Sequence, residues 1–488
     1  MLRLVRYAVF VTWAALLIAL VRAHMPSAPP ALGGALPAAT PANGQTDEWS
    51  GLYMHDHKVG YAHSRVTAAA DGYRLDETSV MRLTVMDREQ NVRAVIGADT
   101  GPDWAMRRFT VALTTDVGDF DVSGAVDGRA LTYSMTSGGE TTEQHLDLQE
   151  PIYLPSAARA ALVAQGLRRG ATTTLRVFDP SALDAQPMTI EVLGRDQLTI
   201  DGRQVEAWKL HESLHGIDSQ VWLDDAGETL REEGPMGLVT LRETPDAAVN
   251  AGWGGAPFDL MGAVAVPVRM PLNDPRHLTQ LRARLTGIDG VAVPTDARQS
   301  LHDGLLSIVV EAAPAATYQL PYAGATQRAE LQATPFLQID HPSVQAAAHQ
   351  AVGDERDPLR AAQRLRRWVY DNLQKRPAAT IPNAVQVLQT RVGDCNEHAV
   401  LYAALARAVG LPARVVAGVV YADGSFLYHA WDEVWLGERW VTVDPTFDQL
   451  PADATHIKLV EGGPDKHTAL VPMIGHLGIE LMAPDASG

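Results

Sequence analysis

A single cysteine, Cys395, occurs among 488 residues. Without a second thiol the chain forms no intramolecular disulfide, and one sulfur is too few for a cysteine-based zinc site. Packing or nucleophilic chemistry remains for it. Positive charge is also scarce: 40 Lys and Arg against 58 Asp and Glu leave a formal net charge of −18 at pH 7. That balance does not suit a phosphate-binding surface, no nucleic-acid motif is present, and no nucleic-acid partner is expected. Internal repeats are missing beyond generic hairpin spacing. What is present, 46% apolar and 20% charged residues over this length, fits a globular protein with sizeable cores in two or three domains.

Residues 1–24 place Arg3 and Arg6 before an uncharged apolar run from Tyr7 to Val21. The run is short for a spanning helix and normal for the apolar region of an export signal, yet Arg22 sits beside the best cleavage point, after Ala23. Signal peptide and signal anchor both remain open. Either way the early arginines stay inside and the bulk of the chain lies outside the cytoplasm, in the cell envelope: periplasmic, or anchored to the inner membrane through the N-terminal helix. Residues 25–46, rich in Pro, Ala and Gly, read as a linker.

Residues 47–250 read as an antiparallel β-rich domain. Long extended runs are separated by turn signals at Asp71-Gly72, Asp127-Gly128 and Asp201-Gly202, as in a meandering half-barrel or curved sheet. On the strand near residue 80, Tyr73, Leu75, Met81, Leu83 and Val85 share one face, interrupted by Glu77 and Ser79. His55, His57 and His63 have a spacing a metal site can use, but read as exposed strand histidines. No partner for this region is legible. Residues 251–338, with turn signals at Asp289-Gly290 and Asp303-Gly304, read as a smaller β module.

Chemistry concentrates in residues 339–488. In "GDCNEHAVLYAALARAVG" Asp394 is an N-cap, Glu397 completes a capping box, and Cys395 becomes the first helical residue of a helix stopped by Gly410. A thiol there lies in the positive end of the helix dipole, which favours thiolate. Free amides at the same end make the Cys395 N–H a candidate oxyanion donor; a second donor cannot be assigned. Upstream, Asp357-Pro358 opens one helix, and 383–390 forms a shorter one. Downstream, "SFLYHAWDEVWLGERWVTVDPTF" reads as a hairpin. A two-residue turn at Leu436-Gly437 pairs 435 with 438 and sets His429 opposite Asp444; a turn one residue later makes them diagonal neighbours, and either way the carboxylate is close enough to hold the imidazole. Trp431, Glu433 and Trp435 share the face of His429. His398, His456 and His467 read as spare imidazoles.

The blocks "GDCNEHA", "GLPARVVAG", "HAWDEVWL" and "WVTVDPTF" resemble, in order and spacing, those of the bacterial transglutaminase-like superfamily over residues 340–460. The resemblance implies a papain-like fold with Cys395, His429 and Asp444 as the catalytic triad. The chain as a whole then reads as α+β: an N-terminal membrane or signal helix, antiparallel β-rich domains, and a C-terminal papain-like transglutaminase core. The expected function is thiol acyl transfer on protein or peptide amides, by transamidation or hydrolysis, requiring no metal or organic cofactor. The alternative is a non-catalytic cell-envelope binding or scaffold protein built on the same fold.

Overall fold

The computed structural model describes residues 45–482 except 86–87, 117, 138, 180–183, 201, 215, 251–257, 259, 289–290, 377–381 and 465. The expected N-terminal helix at 1–24, nearly all of the linker and the Asp289-Gly290 turn lie outside the described residues. Among these, no helix is long and apolar enough to cross a membrane. Two compact units divide the chain, with their boundary between Leu260 and Met261.

The first unit is built on one sheet of fifteen strands. Its middle is formed by Gln45–Met54, which pairs on one side with His57–Ala69 and on the other with Leu238–Arg242. From there each half of the sheet runs outward as a meander of consecutive strands, antiparallel except where Ile152-Tyr153 joins Thr172–Asp179. Alternation explains the burial: Val92, Ala94, Ile96 and Ala98 face inward at every second position. The sheet curls on itself. Phe109 and Phe178, on strands far apart in the sheet order, have ring centroids 4.6 Å apart. Helix α1 (Pro155–Ala164) lies against the concave side and buries Ala157, Ala158, Ala161 and Leu162. His63 stacks on Trp49 at 3.9 Å and pairs with Asp47 at 2.8 Å, so it serves the surface of the sheet.

The second unit is mixed. Helices α2 (Pro342–Val352), α3 (Pro358–Asn372) and α4 (Ala384–Thr390) surround α5 (Cys395–Ala408). Every residue of α5 from Cys395 to Ala406 is buried, which accounts for its small and aliphatic composition. Its C-terminus closes as expected: Gly410 has φ +77° and Leu411 N–H donates to Ala406 O at 2.9 Å. The open face of α5 rests on a sheet of Val266-Pro267, Ser425–Trp435, Ala413–Ala422 and Ile457–Glu461, with Trp440–Val443 paired to Ser425–Trp435.

Residues 251–338 do not stand apart as a module. Val266-Pro267 extends the α5 sheet, and Gln280–Thr286 pairs with Gly478–Leu481 from the far end of the chain. Arg298, buried, reaches Thr442 Oγ1 at 3.3 Å and Asp453 O at 2.6 Å. The hairpin at Asp303-Gly304 was legible in sequence; the partner of its sheet, some 170 residues downstream, was not.

Candidate active site

The N-terminus of α5 is fixed by its capping box. Asp394 Oδ1 accepts from Asn396 N–H at 3.2 Å, and Glu397 Oε2 accepts from Asp394 N–H at 3.0 Å. Cys395 thereby becomes the first residue of a buried helix and is itself fully buried. Burial raises the Asp394 carboxyl well above its ordinary range, with the Glu397 charge adding to it. That shift favours the neutral carboxyl, which would place less negative charge beside the thiol. One turn on, His398 Nδ1 meets Asp394 O at 2.5 Å, and burial lowers this imidazole to about 4. It is neutral and clips the first turn.

His429 comes from Ser425–Trp435, the strand against which α5 packs. The hairpin takes the later of the two registers: Trp435 pairs with Trp440 and Glu433 with Thr442, and Leu436 N–H donates to Arg439 O at 3.1 Å, so the pairing is displaced from that of a turn at Leu436-Gly437. The offset is two residues, so every side chain keeps its face. His429 and Asp444 are diagonal rather than opposite. Asp444 follows Trp440–Val443 and forms an isolated bridge with Gln449, the two residues exchanging N–H···O bonds of 2.9 Å each.

The Asp444 carboxylate is saturated. Oδ1 accepts from the Thr446 and Phe447 amides at 2.6 and 3.0 Å; Oδ2 accepts from His429 Nε2 at 2.8 Å and from His456 Nε2 at 2.9 Å. All three side chains are fully buried. Burial alone would raise Asp444, but the two histidines outweigh it and hold the carboxyl well below the usual range.

The partners assign the protons. His456 faces acceptors on both sides, Asp444 Oδ2 and, 3.1 Å from Nδ1, the Asp453 carbonyl. It must donate twice, so it is an imidazolium. Burial works against that charge, and Asp453 and Asp444 overcome it, raising His456 above its ordinary value. His429 needs a proton only on Nε2. Its Nδ1 has no hydrogen-bond partner, and burial lowers its basicity despite Asp444. The result is a neutral imidazole whose free lone pair lies on the nitrogen that Asp444 does not hold.

His456 was not legible as a site residue; nothing in "PADATHIKLV" distinguishes it from a core histidine. Gly418 makes its approach possible. This glycine pairs with His429, and a Cβ there would fall 1.9 Å from Ile457 O, so only glycine lets Ile457–Glu461 run alongside.

Around this core, Phe447 stacks on His429 at 5.0 Å between centroids and Trp431 at 6.1 Å. Lys375 Nζ donates to Thr446 O at 2.8 Å and lies 3.5 Å from the Tyr370 ring centroid, fastening the turn that carries Asp444; burial brings it down to about 8. Glu433 is tied to Lys458 at 2.7 Å and Arg414 at 2.6 Å, and Trp435 packs edge-on against Trp440. Both support the sheet. Among the described residues, the ligand atoms of His429, Asp444 and His456 form a cluster within 4.8 Å of one another. A metal ion could occupy it only by displacing both Nε2 protons.

Residues 345–445 match the core of the transglutaminase-like superfamily. A protein-glutamine gamma-glutamyltransferase from Pseudomonas aeruginosa is 38% identical over 89 residues, which is 16% of this chain and 13% of the relative. The match thus spans only a small part of that enzyme. Among solved structures, a candidate cysteine protease from Cytophaga hutchinsonii aligns over 46% of this chain and 90% of its own, at 17% identity and TM-score 0.29. A β-barrel-like protein of unknown function from Brucella abortus aligns over 41% and 95%, at 12% identity and TM-score 0.32. The segment around Cys395, His429 and Asp444 is a transglutaminase-like core.

Proposed function

We propose that the chain is a thiol acyl-transfer enzyme in which Cys395 is the nucleophile, His429 the base and Asp444 the group that orients it. The observation that carries the proposal is the state of His429: Nε2 is committed to Asp444 at 2.8 Å, while Nδ1 is unbonded on a strand packed against the helix that begins at Cys395. In the first step Nδ1 takes the thiol proton and the sulfur attacks an amide carbonyl. The imidazolium then protonates the departing nitrogen and leaves a thioester. Water releases an acid; a primary amine gives a new amide. The Cys395 amide, at the helix start, is the oxyanion donor. Asp444 stabilises the imidazolium without itself becoming protonated, as its depressed basicity requires.

Glutamine side chains are favoured as acyl donors by the likeness to a protein-glutamine gamma-glutamyltransferase. The N-terminal segment would place the enzyme in the cell envelope, as a periplasmic or membrane-anchored protein. A non-catalytic scaffold is the second reading, and one observation favours it: Cys395, His429 and Asp444 are all without solvent exposure. Incubation with a glutamine-bearing peptide and a fluorescent primary amine separates the two. Cys395-dependent incorporation supports transfer, Cys395-dependent ammonia or new termini alone supports hydrolysis, and neither product supports the scaffold.

A further inference from the structure

The curved sheet of the first unit encloses a cavity of about 360 Å³ between its central strands and α1, formed entirely by residues before Leu260. Its site shares no residue with the acyl-transfer site. Glu77, one of the two residues that interrupt the apolar face of its strand, lines this cavity, and so do Glu48 and Glu232. Among the described lining residues Arg159 is the single cationic side chain.

That arginine is not available to an anion. Its Nε and Nη2 hold Glu212 at 3.0 and 2.8 Å, Nη2 also meets Glu232 at 3.2 Å, and Nη1 lies 3.4 Å from Thr229 Oγ1. Glu48 finds Arg242 only at 3.6 Å, and that guanidinium is shared with Asp224 at 3.1 Å and Glu228 at 2.8 Å. Carboxylates therefore outnumber the cations beside them, and burial raises Glu48. A buried excess of carboxylate is costly unless a cation joins it.

Three more polar groups on lining residues have no hydrogen-bond partner in the protein. Glu77 Oε1 is buried and unbonded; so is the Thr240 hydroxyl; so is Trp104 Nε1, on a side chain 2% exposed and held by a 4.0 Å stack on Tyr73. The indole N–H can only donate. An ammonium alone would leave it unmet, a neutral sugar would leave the carboxylates uncompensated, and an anion is opposed by the charge. A cation that carries an acceptor oxygen close by meets all of them. Val163 and Ala164 of α1 add a small apolar stretch to the lining, suited to a small apolar group.

We propose that this cavity binds the free amino end of a short peptide with small side chains. The ammonium pairs with Glu77 and Glu48, the first carbonyl oxygen receives the Trp104 N–H, and the first side chain lies on Val163 and Ala164. Titration calorimetry of the full chain with alanyl-alaninamide and with its N-acetyl derivative tests this. The expected result is saturable binding of the free amine that is weakened about tenfold or more by acetylation. Glu77→Gln and Trp104→Phe should each weaken binding about tenfold while the far-ultraviolet dichroism stays that of the parent. Absence of saturable heat, or equal binding of the acetylated peptide, overturns the proposal. The second comparison needs no variant and so holds even if either substitution unfolds the sheet. Acyl transfer does not enter this readout, so a failure here leaves the catalytic reading untouched, and the reverse holds too.

Discussion

His456 Nε2 lies 2.9 Å from Asp444 Oδ2, the same oxygen that accepts His429 Nε2 at 2.8 Å. One carboxylate thus serves two imidazoles in different protonation states. Because His456 must donate from both nitrogens, the positive charge resides there, and His429 is left neutral with Nδ1 free. The charged histidine lies within 5.7 Å of the neutral one, centroid to centroid, and its field contributes to the lowered basicity of His429.

Replacing His456 by glutamine removes that field. His429 should then hold its proton to higher pH, so the acid limb of kcat/KM for amide cleavage moves upward. A pH–rate profile of His456→Gln against the parent measures it; a downward shift would contradict the charge assignment.

The same groups set the pH dependence of stability. Asp444 and Asp453 are depressed in the fold, so their contribution is full above the unfolded carboxylate value of about 4 and is lost as pH falls through their folded values. His456 is raised; its contribution is full below about 6.5 and is lost as pH rises through its folded value. Urea midpoints should fall on both sides, and His456→Gln should flatten the alkaline side and also soften the acid side, because His456 helps to depress both Asp444 and Asp453. Asp444→Asn should cost about 3–5 kcal/mol by breaking a buried pair and about a thousandfold or more in kcat.

Asp432 tests the opposite sign. It is fully buried, neither oxygen has a partner, and burial with the nearby Asp444 charge raises it well above the usual range. A raised carboxyl contributes most below the unfolded value and loses that contribution as pH rises. Asp432→Asn should therefore gain on the parent in melting temperature from pH 5 to pH 8, as scanning calorimetry would record.

Asp394 carries both a cap and the placement of the thiol. Asp394→Ala should cost about 1–2 kcal/mol in unfolding free energy and reduce acyl transfer further than that loss accounts for. Asp394→Ser keeps an N-cap acceptor and should recover most of the stability. Denaturation and activity measured on the same preparations separate the two effects.

How far these features could be read beforehand depended on their range. The start of α5 was legible because a cap, a box and a first-turn residue are set within four positions, Asp394 to Glu397. The His429–Asp444 pair was legible in either of the two turn registers the sequence allows, since a shift of two residues preserves the face of a strand. His456 was not, because its place depends on Gly418 admitting a neighbouring strand, a fact of tertiary packing with no local signature. For the same reason residues 251–338 looked like a module: the strand that completes their sheet is Gly478–Leu481. Glu77 announced itself as a break in an alternating face, and only the curvature of the sheet shows the cavity behind it.

The central claim is that Cys395 is an activated nucleophile served by His429. The most direct measurement is the rate of Cys395 alkylation by iodoacetamide, followed by intact mass from pH 4 to 9, in the parent and in His429→Ala. The parent should react with a midpoint well below the value of about 8.5 of an ordinary thiol, and His429→Ala should move the midpoint up toward it. The same midpoint near 8.5 in both proteins would contradict the account.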